Sequence, residues 1–252
     1  MKKLLTLAAL ALAAAAAHAQ SYDEIVRLRS MNETVRGIRS MADGVHYTVL
    51  EDNTIRKYAY AEACAGETLL PETPDSFAIA DYQLSPDERT ILVASGSEPI
   101  YRHSYTTRYY LSDARGLRPI MLGIDSTRDA SFSPDGRRIA FSSRNDLWLY
   151  DIETESVRRI TQDGAWNRII NGTTDWVYEE EFGFTKASAF SPDSRRIAYL
   201  RFDESEVPVF EMMRFDGKLY NEAYTFKYPK AGERNSTVEL WLFDIETGAR
   251  TR

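Results

Sequence analysis

Cysteine is almost absent. With Cys64 alone in 252 residues, no intramolecular disulfide can form, and stability has to come from packing. No partner motif surrounds Cys64, so it is expected to be a small core or surface residue and not a reactive thiol. Histidine is nearly as scarce: His18, His46 and His103 are the full set. They show no ligand spacing among themselves or with Cys64, which argues against zinc, and no metal or other cofactor is expected. There is no G-x-S-x-G elbow, so a nucleophile, a base and an orienting acid are not recognisable in these residues. A P-loop and a G-x-G-x-x-G cradle are also missing. No basic run offsets the formal net charge of −7, and such a surface repels phosphate backbones and anionic lipid. Nucleic acid is therefore set aside as a partner. What is left is a binding or positioning domain.

Long apolar runs are confined to the N-terminus. Lys2 and Lys3 precede a stretch from Leu4 to Ala17, and Ala17-His18-Ala19 forms an A-x-A site. The stretch is shorter than the roughly 18 to 20 residues that span a bilayer. It predicts a signal peptide over residues 1–19 and release of Gln20 as the new first residue. The short, alanine-rich run points to a bacterial exported protein, periplasmic or beyond, with no membrane span. The sequons at Asn32, Asn171 and Asn235 are then chance matches. Removal of that segment leaves 29 basic against 38 acidic side chains, a net charge of −9.

A repeated phrase organises the rest. Leu84-Ser85-Pro86-Asp87 is followed by Ile91-Leu92-Val93, Phe132-Ser133-Pro134-Asp135 by Ile139-Ala140-Phe141, and Phe190-Ser191-Pro192-Asp193 by Ile197-Ala198-Tyr199. Proline presets φ at the second turn position, Asp with Gly or Ser closes the turn, and the apolar alternation predicts a half-buried strand. A second element, Leu147-Trp148-Leu149-Tyr150-Asp151-Ile152-Glu153-Thr154, is echoed by Leu240-Trp241-Leu242-Phe243-Asp244-Ile245-Glu246-Thr247 and more weakly by Tyr109-Tyr110-Leu111-Ser112-Asp113. It predicts a strand running into a turn that starts the next blade. No amphipathic helix of three turns or more is evident. The expectation is an all-β chain, a partial β-propeller of about four blades near 35–72, 73–120, 125–165 and 185–250, the last enlarged by an insertion around Glu204 to Thr237. A β-sandwich explains the short strands but not the repeats.

Two runs are chemically distinctive. Asp175-Trp176-Val177-Tyr178-Glu179-Glu180-Glu181-Phe182 puts three consecutive carboxylates among aromatics. Either this is the solvated acidic start of a helix, or the carboxylates converge and accept the three N–H groups of an ammonium ion. Tyr101-Arg102-His103-Ser104-Tyr105 sets a guanidinium among aromatics; its plain reading is a surface strand with a snorkelling arginine.

The two runs in this order, with Ile170-Asn171-Gly172, Phe202-Asp203-Glu204-Ser205-Glu206-Val207-Pro208 and Tyr228-Pro229-Lys230-Ala231-Gly232, resemble the propeller of the dipeptidyl peptidase IV family of serine exopeptidases. The likeness covers most of the chain from about residue 80. It implies an eight-bladed propeller of which residues 20–252 are the N-terminal part, in an enzyme that releases X-Pro and X-Ala dipeptides from free peptide N-termini. It implies that Glu180 and Glu181 hold the substrate amine, that Arg102 helps hold the acidic pair and a substrate carbonyl, and that Glu179 has no direct substrate role. The segment from Met213 to Val238 resembles the arm that joins two subunits, which implies a homodimer. The further blades and the hydrolase domain with its Ser, Asp and His are not in these residues, so the chain is expected to be part of a longer protein and inactive alone. A non-catalytic periplasmic propeller that binds peptides or proteins is the alternative.

Overall fold

The computed structural model describes residues 21–30, 37–61, 66–70, 77–215 and 217–252. The expected signal peptide, Cys64 and Asn32 lie outside the described residues. Two units are present, residues 1–39 and 40–252. In the first, helix α1 (Tyr22–Ser30) opens on a capping box: Glu24 N–H donates to Ser21 Oγ at 3.2 Å and Ser21 N–H to the Glu24 carboxylate at 2.8 Å.

The strands form successive antiparallel sheets. β1 (Arg39–Ser40), β2 (His46–Glu51), β3 (Thr54–Ala59) and β4 (Glu67–Thr68) make the first, in that order. β5 (Ile79–Leu84), β6 (Ile91–Pro99), β7 (Tyr105–Asp113) and β8 (Gly116–Pro119) make the second; β9 (Thr127–Phe132), β10 (Arg138–Ser143), β11 (Asp146–Asp151) and β12 (Ser156–Arg159) make the third. The fourth sheet begins with two short strands, β13 (Ile169–Asn171) and β14 (Ser188–Phe190), which both pair with β15 (Arg196–Asp203). A two-stranded hairpin of β16 (Val209–Arg214) and β17 (Glu222–Lys227) follows, and then β18 (Thr237–Asp244) and β19 (Arg250–Thr251) complete the fourth sheet. These sheets are the blades of a partial propeller; the first three lie close to the expected boundaries, whereas the fourth begins at Ile169 and not near residue 185, because β13 pairs with β15 ahead of the expected start, and the hairpin falls within the expected insertion.

Each S-P-D phrase joins the first and second strands of a blade with the same bonds. Ser85, Ser133 and Ser191 accept N–H groups from Thr90, Arg138 and Arg196 at 3.0, 2.9 and 2.9 Å, and their own hydroxyls donate to Asp87, Asp135 and Asp193. The L-W-L-Y-D phrase departs from expectation. It forms the third strand, β11 or β18, and the turn after it leads to the fourth strand of the same blade. Periodicity marks a strand and a turn but cannot name the strand on the other side of the turn.

After the first two S-P-D phrases the strand, β6 or β10, is more buried than expected, because these blades are packed on both faces, whereas β15 after the third keeps the expected half-buried alternation. On β10, Ile139 and Phe141 join Leu92, Tyr109, Leu111 and Tyr150 between the second and third blades, while Ala140 joins Leu147, Ile197 and Phe243 between the third and fourth. Ile55, Leu70, Ile79, Tyr82, Ile91 and Val93 close the gap between the first and second. Among the described residues no helix is long and apolar enough to cross a membrane.

Candidate functional site

The first strand of the fourth blade is interrupted, and the interruption builds the site. The chain leaves the ladder at Gly172 and returns at Ala187, where Gly172 N–H bonds Leu200 O, Ala187 N–H bonds Gly172 O, and Leu200 N–H bonds Ala187 O, each at 2.9 to 3.0 Å. Between these points lies α2 (Trp176–Phe182). Asp175 caps it by accepting the Tyr178 N–H at 2.9 Å, and Gly183, in the left-handed region at φ 73°, ends it. The apolar side of α2 rests on the blade through Tyr178, whose ring lies 4.9 Å from that of Phe202.

On one helical turn consecutive side chains diverge by about 100°, so the three glutamates have different surroundings. Glu179 is fully buried; its Oε1 accepts the backbone N–H groups of His103 at 2.8 Å and Ser104 at 2.7 Å. Glu180 is mostly buried, with 11% of its side chain exposed, and its Oε2 lies 3.2 Å from Arg102 Nε. Glu181 is exposed. The run is therefore neither a wholly solvated helix start nor a single convergent cluster. Arg102 departs from the expected surface strand: it sits in the bend between β6 and β7, with 74% of its side chain exposed. This leaves the carboxylate of Glu180 beside a guanidinium at the surface, able to accept a further donor.

A neighbouring cavity of about 480 Å³ is lined by residues given no role from the sequence, among them Tyr101, Arg128, Trp166 and Glu204. Burial pushes the Glu204 carboxyl up to about 7, with the nearby Asp175 acting in the same direction and Lys227 against it. Asp175 is raised by its own burial, opposed by the hydrogen bond from Ser236 Oγ at 2.5 Å. The Tyr101 ring lies 5.9 Å from that of Phe226 on the hairpin, and Trp166 Nε1 donates to Thr225 O at 3.2 Å. The Asp175 cap and the Gly183 stop carry a sequence signal. The burial of Glu204 and Glu179 carries none, since it comes from distant segments. Among the described residues no group of three or more His, Cys, Asp and Glu side chains is placed to hold a metal ion.

Residues 85–252 match the family model described as dipeptidyl peptidase IV N-terminal region. The chain belongs to the dipeptidyl peptidase IV family. A crystal structure of Porphyromonas gingivalis dipeptidyl peptidase 4 superposes with a TM-score of 0.84 at 38% identity, over 92% of this chain and 34% of that one. A probable dipeptidyl peptidase 4 from Aspergillus flavus is 34% identical over 89% of this chain and 30% of its own length, and the Mus musculus prolyl endopeptidase FAP is 32% identical over 77% and 26%. The chain thus spans about a quarter to a third of the length of these relatives. Arg102, Glu179, Glu180, Glu181 and Glu204 all fall inside the segment matched to the dipeptidyl peptidase IV N-terminal region.

Proposed function

We propose that this chain is the substrate-reading propeller portion of an exported serine peptidase that removes X-Pro and X-Ala dipeptides from free peptide N-termini. The nucleophile, base and acid come from sequence outside residues 1–252, and the chain alone is inactive. Glu180 and Glu181 accept the N–H groups of the substrate ammonium, and Arg102 offsets the repulsion between them and donates to a substrate carbonyl. The observation that carries this reading is the mostly buried Glu180 carboxylate held beside Arg102 on a capped helix. An acid fixed at a set distance from a nucleophile is a ruler: cleavage falls two residues from the amine, and binding energy collected here orients the scissile bond. A blocked N-terminus leaves the acids without their partner, and that penalty becomes discrimination in rate.

Two further parts belong to the proposal. Residues 1–19 direct export to a bacterial periplasm or beyond, and the segment from Met213 to Val238 joins two copies of the full protein. Its hairpin exposes Met212, Met213, Phe215, Leu219 and Tyr220, a run of apolar side chains suited to burial against a second copy.

The test uses the full-length gene product and a Gly-Pro chromogenic amide. Free-amine substrate turns over and its N-acylated form does not, while Glu180→Ala and Glu181→Ala each lower kcat/KM by roughly 100-fold, the size of one or two charge-assisted hydrogen bonds, in protein that stays folded. Equal cleavage of the blocked amide, or unchanged kcat/KM in both variants, overturns the proposal.

A further inference from the structure

Glu179 is the one glutamate of the run for which the ruler gives no task, and it is the one that is fully buried. Placing a carboxylate in the interior is unfavourable unless its oxygens are hydrogen-bonded. Here only half of it is: Oε1 takes two N–H groups, while Oε2, like the neighbouring Ser104 Oγ, has no partner among the described residues. A leucine or methionine would fill the same volume without that penalty, so packing does not account for an acid at this position.

What the two bonds connect does account for it. Their donors are the first and second residues after Arg102, and their acceptor is the residue before Glu180. The backbone of the Arg102 bend, the Glu179 carboxylate, one step of α2 and the Arg102–Glu180 contact at 3.2 Å form a closed ring. The outer member of that ring is weak, because an exposed arginine in an ion pair has high rotamer entropy and is screened by water. The inner member is dry and doubly bonded. Neither segment is held firmly by itself: α2 has seven residues, too few for a helix that stands alone, and the bend at Tyr101–His103 is closed by one backbone bond, Ile100 N–H to Ser104 O at 2.8 Å, with no strand pairing of its three residues among the described ones.

We infer that Glu179 is a positioning residue whose carboxylate ties the bend to α2 and thereby sets the spacing of Arg102 and Glu180. The inference rests on the proposed amine-binding role of those two residues. It makes reach, and not charge, the required property. Glu179→Gln keeps an oxygen at the same distance for both N–H groups; Glu179→Asp keeps the charge and withdraws the oxygens by one methylene.

The experiment measures two things in the full-length product: amide hydrogen exchange at His103 and Ser104, and kcat/KM on the Gly-Pro amide. Glu179→Gln is expected within about threefold of the parent in both. Glu179→Asp is expected to exchange at these two amides at least about tenfold faster and to lose at least about tenfold in kcat/KM. Should Glu179→Asp not fold, Glu179→Met, which removes both acceptors and fills the volume, carries the same expectation. Parental exchange and kinetics in Asp or Met, or a Gln variant as impaired as Asp, overturn the tie. A Glu180→Gln control separates the two claims. If it leaves kcat/KM unchanged, amine binding is wrong, and the exchange rates still decide whether Glu179 holds the bend.

Discussion

Glu204 shows what one buried acid does to the whole chain. It is 6% exposed, and burial holds its folded-state value near 7 against 4.5 for the free side chain. Between those values the folded protein keeps a proton that the unfolded chain has released, so the folded state binds more protons and stability falls as pH rises from about 4.5 to 7. Above pH 7 the loss is complete. Glu204→Gln is expected to stabilise the protein by roughly 1–3 kcal/mol at pH 8, and to leave it little changed at pH 4. Urea melts of parent and variant at the two pH values check this; an equal shift at both would mean the effect is packing. Lys227 limits the gain, since its ammonium stands near Glu204 while donating to Ser205 O at 3.1 Å and Val207 O at 2.6 Å. Nothing in the sequence around Phe202-Asp203-Glu204 announces this, because the burial comes from segments as distant as Tyr101 and Trp166.

At the scale of the element, α2 depends on its ends. Asp175 bonds both the Tyr178 N–H and the Ser236 hydroxyl, so Asp175→Ala removes a cap and leaves Ser236 unpaired, with an expected cost of about 1–3 kcal/mol. Asp175→Asn, which still presents an acceptor to Tyr178, should recover most of it; thermal melts of the parent and both variants check this. The strand that α2 interrupts has its own constraint. Gly172 has φ +77°, and a Cβ there would lie 2.8 Å from Leu147 Cδ1 of the preceding blade. Gly172→Ala therefore combines left-handed strain with an interblade clash and should destabilise by roughly 2–4 kcal/mol; a melting temperature within a degree of the parent would contradict it. The sequence reading passed over these ends, although Asp before Trp-Val-Tyr and Gly after Phe182 are ordinary cap signals. The S-P-D turns were legible, since their hydrogen bonds are local. The L-W-L-Y-D phrase was less legible, since its fourth-strand partner is decided by how the blade closes. Asn171, one of the sequons, is buried and donates to Asp163 at 3.0 Å, which leaves no room for a glycan in the folded blade.

The scale of the whole molecule adds the tests that single residues cannot. Export predicts that the mature protein from a native-like host begins at Gln20, measurable by intact mass; retention of residues 1–19 would contradict the signal peptide. Joining through the arm predicts that the full-length product with Leu219→Ser and Tyr220→Ser elutes as a monomer in size-exclusion chromatography, while the parent elutes as a dimer. Parent and variant eluting alike would remove the arm from the proposal.

By itself the sequence determined what depends on neighbours along the chain: the S-P-D turns, the alternation that makes the strands, the blade repeat, and the family through residues that stand in one order. Only the tertiary structure decided what Glu179, Glu180 and Glu181 each face. The three are identical side chains in a row, and no local pattern separates them. Their differences arise because a helix turns about 100° per residue while a bend 75 residues upstream supplies its backbone N–H groups to one of them, leaving the second to Arg102 and the third to water.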